Sequence, residues 1–434
     1  MKKLLIISWR FPPDNSISAI RPAKLAKYLS LSSRYEVSVL SAKMPGRAPR
    51  DLGEVGEYLS RHMEFREWDI ITPTIAAFNR RDRRRAALTS PKPISGASRG
   101  GGILAFGAQI IEFLSGLGYA STVIRALKKD PSCTYDIVFS TYNPYSSHAI
   151  ARYLKKTGRA GFWVADFRDP ITANLRSRNS KAIGRAYAAR LCRDADVLTA
   201  VSTGVFEADD ILNEKKKVVV TNGFDTDDLS MVADAVKDEK TLVFAYTGTL
   251  YRGRPNMDAF FGVLRELVDE GLVPARSIRI EYAGARGHEF SAQAGRHGLE
   301  EIVHDHGFVT RAEALQIQRN AHILLVTSWN DVGNTGIVTG KILEYMMMDK
   351  PVVSIVTGNL ANSIIKDMTD TCGLGICYEE PAADLDHDKL KDYLRTQYQS
   401  FVSTGHIHFA PNPPEIEKYH YRSIVAHLET LFPQ

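Results

Sequence analysis

The stretch NTGIVTGKILEYMMMDKPVVS, residues 334–354, decides how this chain folds. Its middle, GKILEYMMM, has the apolar spacing of a helix, and it stands between AHILLVTS (321–328) and KPVVSIV (350–356), which read as buried strands. The rhythm extends upstream through TLVFAYTG (241–248), a helix over 256–271, SIRIEYAG (277–284) and IVHDHGFV (302–309). Before the acidic, unpatterned segment TDDLSMVADAVKDEK (226–240) a second series appears. It comprises KKLLIISW, a helix in AIRPAKLAKYLS, EVSVLSA, YDIVFST, a helix in PYSSHAIARYLKKTG, GFWVADF, a helix over 180–192, ADVLTAVS and KVVVTNGFD. Strands alternating with helices in this way imply parallel, doubly wound sheets. The expected fold class is α/β, with two Rossmann-like domains at 1–225 and 241–412, a linker at 226–240 and a terminal helix at 413–434 crossing back to the first domain. Such sheets bind ligands at the carboxyl ends of their strands, so the active site is expected in a cleft between the domains.

With 434 residues the chain is long enough for two cores. No apolar run reaches the ~18 residues a spanning helix needs, and the four scattered cysteines suggest neither a disulfide framework nor a CxxC pair. A cytoplasmic protein is expected. Residues 1–200 hold 33 Lys and Arg against 16 Asp and Glu, and the remainder holds 22 against 34. The basic first part suits an anionic partner. The arginines of Asn79 to Gly102 sit in one loop without interleaved aromatics, so nucleic acid is not expected. The following stretch, Ile103 to Leu127, reads as an amphipathic helix with Phe106, Ile110, Phe113, Leu114 and Leu117 on one face. That face packs on its own core or meets an anionic membrane surface beside Arg80 to Arg85.

The glycines and threonines of the opening stretch fall at a helix N-terminus, where free N–H groups favour an anion or a sugar hydroxyl. Lys341 and Glu344 lie one turn apart there. They serve phosphate and ribose hydroxyls, or they form an ion pair on a solvated helix. The loop YTGTLYRGRP adds Gly248, Arg252 and Arg254 beside the same sheet edge. Neither GxxxxGK[ST] nor GxGxxG after a strand is present, so a P-loop and a dinucleotide site are not supported. VADFRDP places Asp166, Arg168 and Asp169 at a strand end, suited to acid/base work or to an internal salt bridge. His304 with His306, and His406 with His408, alternate along the chain, yet no third ligand is near in sequence, so no metal site is expected.

The order and spacing of SWRFPPDNSISAIRPAKLAKYL, DFRDP, ADVLTAVS, VTNGFD, YTGTLYRGR and GKILEYMMMDKPVV resemble glycosyltransferases of the GT-B fold, family 4 in the usual classification, over nearly the whole chain. The resemblance implies retaining transfer of a sugar from a nucleotide-sugar, commonly a UDP-sugar, without a metal or other cofactor. Glu344 matches the second glutamate of the E-x7-E motif and would hold ribose. Arg254 matches the residue that neutralises the donor diphosphate, a catalytic role alongside Glu344. Phe308 and Val309 match the loop that meets the base, and Thr335, Gly336, Ile337, Val338 and Thr339 would meet the sugar and phosphate. Three positions depart from the pattern: Gly336 replaces the first glutamate, Thr249 replaces one arginine of the diphosphate pair, and DNSISA replaces a glycine-rich turn. Asn334 or Thr335 would replace the first function, and Lys341 or Arg252 the second. Ser16, Ser18, Arg21 and Asn143 are expected on the acceptor side. Sequences with D-x-R-D-P and K-x-x-E-Y resemble enzymes of bacterial surface polysaccharide assembly, which implies a lipid-linked or oligosaccharide acceptor and a position on the inner face of the membrane.

Two other readings compete: a nucleotide-sugar epimerase of the same architecture, and a non-catalytic relative degraded by the loss at Gly336. The membrane expectation has its own test. Neutralising Arg80, Arg81, Arg83, Arg84 and Arg85 should reduce co-sedimentation with anionic liposomes, at about 1 kcal/mol per charge near the surface. Undiminished binding excludes that cluster.

Overall fold

The structure is a computed structural model that describes residues 1–14, 17–43, 53–66, 116–142, 144–171, 178–209, 215–236, 238–250, 257–333 and 335–434. The chain divides into two units: Met1–Val201 with Asp209–Val220 and His427–Gln434, and Ser202–Ala208 with Thr221–Ala426. Ser16, Asn143, Arg252, Arg254, Asn334 and the Arg80 to Arg85 cluster lie outside the described residues, as does most of the expected amphipathic helix.

Unit 1 is built on β1 (Lys2–Ile7), β2 (Tyr35–Lys43), β3 (Arg61–Arg66), β4 (Tyr135–Tyr142), β5 (Ala160–Phe167), β6 (Val197–Ala200) and β7 (Lys217–Val219). They form one parallel sheet in the order β3-β2-β1-β4-β5-β6-β7. Its helices include α1 (Ile17–Leu31), α2 (116–129), α3 (Ser146–Lys156) and α4 (Arg178–Cys192). The apolar runs are continuous because both faces of the sheet are covered. Leu4, Leu5 and Ile6 are all fully buried, each worth about 1.5–3 kcal/mol relative to exposure.

Unit 2 opens with α5 (Thr203–Asp209) and carries β8 (Leu242–Thr247), β9 (Ile278–Ala283), β10 (Val303–Asp305), β11 (Ile323–Asn330), β12 (Val352–Gly358) and β13 (Gly375–Glu379). The parallel order is β10-β9-β8-β11-β12-β13. Alternation along β8 divides the core: Leu242, Phe244 and Tyr246 pack on one side, and Val243 and Ala245 on the other. Its further helices are α6 (Asp258–Asp269), α7 (Gly287–Gly295), α8 (Arg311–Asn320), α9 (Gly340–Met346), α10 (Ile364–Thr371), α11 (Ala383–Thr404), α12 (Pro413–Glu417) and α13 (Tyr421–Glu429). In each sheet the winding direction reverses once, between β1 and β4 in unit 1 and between β8 and β11 in unit 2.

Two expectations change. The single terminal helix is two helices, because Tyr419 and Tyr421 turn their backbone away from helical pairing: Phe224 N–H donates to Tyr419 O at 3.0 Å and Tyr421 N–H to Phe224 O at 3.0 Å. The acidic segment at 226–240 is docked on α8 and β9. Ala233 N–H donates to Gln316, Val236 N–H to Asn320, and Asp234 and Asp238 pair with Arg319 and Arg279. No helix among the described residues is long and apolar enough to cross a membrane.

Candidate functional site

The β8/β11 reversal of unit 2 gathers the end of β8, the start of α9 and one face of α8. A reversal of winding opens a crevice outside the carboxyl strand ends. Glu344, on α9, has a side chain only 11% exposed. Its Oε1 accepts from Lys341 Nζ at 2.7 Å and Gln318 Nε2 at 2.7 Å, and its Oε2 accepts from Arg311 Nη1 at 2.8 Å. Arg311 also donates to Asp228 at 2.8 Å. Burial alone would push the Glu344 carboxyl upward, but Lys341 and Arg311, with the hydrogen bonds from Lys341 and Gln318, hold it below the usual range. The group is an ionised acceptor with a lone pair left on Oε2. Gln318 Nε2 reaches Thr247 Oγ1 at 2.6 Å, so the network begins at the end of β8. Among the described residues, Gln318 Oε1 and Thr339 Oγ1 are buried without a hydrogen-bond partner, both beside this edge.

Lys341 packs its stem against Gly248, where an added Cβ would lie 3.7 Å from Lys341 Cγ and Cε. Gly284 approaches even closer: its Cβ would fall 2.1 Å from Gly248 O. Thr249 and Phe308 are exposed, Phe308 to 87%, while Val309, Thr335, Ile337 and Val338 are half-buried. Gly336 has φ +70° and lies against α5: a Cβ there would be 2.9 Å from both Gly204 Cα and Gly204 N.

In unit 1 the strand-end residues divide. Asp166, expected in acid/base work, is fully buried, and its partner Arg21, expected to meet an acceptor, is 2% exposed. Arg21 forks onto it at 2.9 and 3.2 Å, Thr199 Oγ1 donates at 2.8 Å and Thr141 Oγ1 at 2.9 Å. Arg21 also donates to Val220 O at 2.8 Å. The two form a buried ion pair, the internal salt bridge that the sequence left open for Asp166, and both oxygens of Asp166 accept from protein groups. Arg168 is half-buried and ties Tyr142 O at 2.8 Å to Ser18 O at 2.7 Å, a loop clamp that uses its guanidinium on backbone. Asp169 is exposed, and Ser18 is half-buried.

The histidine pairs also part company. Among the described residues, Glu281 stands beside His304 and His306, a neighbour that sequence spacing did not place there, and the three offer ligand atoms within 4.8 Å of one another.

No curated protein sequence matches the chain. The family model described as Glycosyl transferases group 1 matches residues 241–386, within unit 2. Sucrose-phosphate synthase from Thermosynechococcus elongatus superposes with a TM-score of 0.61 at 11% identity, covering 100% of this chain and 98% of that one. The lipopolysaccharide outer core galactosyltransferase WaaB, in its apo form, gives 0.57 at 16%, covering 99% of each. A trehalose-6-phosphate structure from E. coli bound with UDP-2-fluoro glucose gives 0.57 at 12%, covering 100% and 99%. This chain has the GT-B fold.

Within the GT-B frame, Lys341 and Glu344 were legible as neighbours on a helix. Arg311 and Gln318 were not, since they arrive from α8, 33 and 26 residues away. The absence of a glutamate at 336 acquires a physical reason: the left-handed backbone and the touching Gly204 exclude a side chain. Gly336→Glu, which restores the motif, should lower stability by about 1–3 kcal/mol in thermal or urea unfolding. Unchanged stability would mean that the loop is free to move. Asp166→Ala removes the carboxylate that the buried Arg21 forks onto and should cost about 3–5 kcal/mol, read as a lower urea midpoint. Loss of activity at full stability would return Asp166 to a catalytic role.

Proposed function

We propose that this protein is a retaining, metal-independent glycosyltransferase that moves a sugar from a UDP-sugar to a lipid-linked or oligosaccharide acceptor of a bacterial surface polysaccharide or glycolipid. The observation that carries this reading is Glu344, held ionised by Lys341, Arg311 and Gln318 in the unit that matches the group 1 transferase model. The donor ribose would bond to the remaining lone pair of Oε2. Lys341 would exchange Glu344 for the diphosphate, and Arg254 would meet the leaving group, where fixed positive charge stabilises developing negative charge without reorganisation. The transferred sugar would lie along the backbone of 335–339, close to the orphaned Thr339 Oγ1. The UDP-2-fluoro glucose in the trehalose-6-phosphate structure and the galactosyltransferase neighbour support the choice of donor class and reaction.

Gly336 favours a second reading, a binding scaffold without turnover, because the acidic contact to the sugar that the E-x7-E resemblance implies cannot form from that position. A thermal-shift panel of UDP, GDP, ADP, dTDP and their sugars separates the two, since a ligand at a hundredfold over its dissociation constant stabilises by about 2.7 kcal/mol. A shift with UDP or a UDP-sugar is expected. No shift with any nucleotide favours the scaffold. Glu344→Gln, which keeps the side-chain volume, should weaken nucleotide binding roughly ten- to a hundredfold, the worth of one charge-assisted hydrogen bond. Unaltered binding and transfer in that variant removes Glu344 from the site.

A further inference from the structure

The edge of the unit 2 sheet carries a feature that the donor site does not use. Among the described residues β10 is the edge strand and pairs with β9 alone, with His304 opposite Glu281 in the register. His306 follows two residues on, and its N–H still bonds Tyr282 O at 2.8 Å, so the strand spacing persists through it. Residues two apart on a strand project to one side, and a cross-strand partner shares that side. The two imidazoles consequently converge on a single carboxylate oxygen. His306 Nε2 lies 2.7 Å and His304 Nδ1 3.1 Å from Glu281 Oε2, and the ring centroids are 4.4 Å apart.

We propose that Glu281, His304 and His306 form a binding site for one divalent transition-metal ion of the zinc class. All three ligand atoms lie within 4.8 Å of one another. Metal–ligand bonds of about 2.0–2.2 Å place tetrahedral donors roughly 3.3–3.5 Å apart, so small rotations of the rings and the carboxylate suffice. The rings are free to make them, being 62% and 29% exposed, while Glu281 is 13% exposed and fixed. Arg279 Nε holds the other oxygen, Oε1, at 2.6 Å and is itself paired with Asp238 at 3.1 Å. That arrangement leaves Oε2 directed at the histidines, as an outer hydrogen bond orients a ligand. Two imidazoles with one carboxylate and no thiolate suit Zn²⁺, Co²⁺ or Ni²⁺ over Ca²⁺ or Mg²⁺, which prefer oxygen ligands. Water would complete the coordination, since the site opens to solvent.

The site is structural in position. It joins the edge strand to β9 immediately before Gly307, whose carbonyl accepts from Gly284 N–H at 2.8 Å, and before the exposed Phe308. An ion there would brace the start of that loop. The proposal stands apart from the donor reading, and its readout is metal binding rather than transfer.

The test uses the full chain, untagged and stripped with EDTA, titrated with Zn²⁺ by calorimetry and with Co²⁺ by visible absorption. One ion per chain is expected, with a rise in melting temperature on Zn²⁺ addition. His304→Ala, His306→Ala and Glu281→Gln should each raise the dissociation constant about tenfold or more, since even outer-shell changes cost 10- to 100-fold. The paired variant His406→Ala/His408→Ala controls for other exposed histidines and should bind as the parent does. Absence of binding to the parent overturns the proposal. So does unchanged binding to a folded His304→Ala/His306→Ala variant, or loss confined to the His406 and His408 variant.

Discussion

A carboxylate taken out of water at the edge of a covered parallel sheet must have its lone pairs filled, and which groups fill them decides what it can do. Asp166 at the end of β5 receives Arg21, Thr141 and Thr199, and has nothing left for a ligand. Glu379 at the end of β13 receives the N–H groups of Asn362 and Ser363 at 2.8 and 2.7 Å, and so fixes the chain as it enters α10. Glu344 differs in kind. Its partners are long cationic or amide side chains, one of them a lysine only partly buried, and such groups can move when a ligand arrives. The same desolvation penalty therefore yields two structural acids and one available acceptor.

The fold was legible wherever burial on both faces left a continuous apolar run inside a strand. β1, β4, β8, β11 and β12 are of that type. β3, with sequence RHMEFR, was missed because an edge strand is solvated along one side and can be charged. β13 was missed for a related reason: GICYE is short, begins with a glycine at φ +142°, and sits at the other sheet's edge. The terminal segment misled in the opposite direction. Its apolar period is helical on both sides of His420, and only the distant Phe224 interrupts it.

For the candidate site, local spacing found Lys341 and Glu344 but not what holds them. A pair one turn apart on an exposed helix would have been a weak surface contact. It becomes a network around one mostly buried carboxylate because α8 brings Arg311 and Gln318 to it and because the strap after Phe224 brings Asp228 to Arg311. Likewise, His304 and His306 looked isolated because their third neighbour stands on the preceding strand, and strand register is invisible to sequence distance.

The two glycines at 204 and 336 belong to one constraint. A Cβ on Gly204 would lie 2.3 Å from Thr335 O, and a Cβ on Gly336 would lie 2.9 Å from Gly204, so neither position tolerates a side chain while the other loop stays in place. Gly336 also needs the left-handed backbone that only glycine adopts cheaply. A glutamate at 336 would require the loop to leave α5 and change backbone region together, which is a concerted change rather than a point substitution. The departure from E-x7-E is thus built into the packing of 335–336 against the first turn of α5. In the reading proposed above, other groups of this edge would replace that contact, and among the described residues they include the backbone amides after Gly336 and the hydroxyl of Thr339.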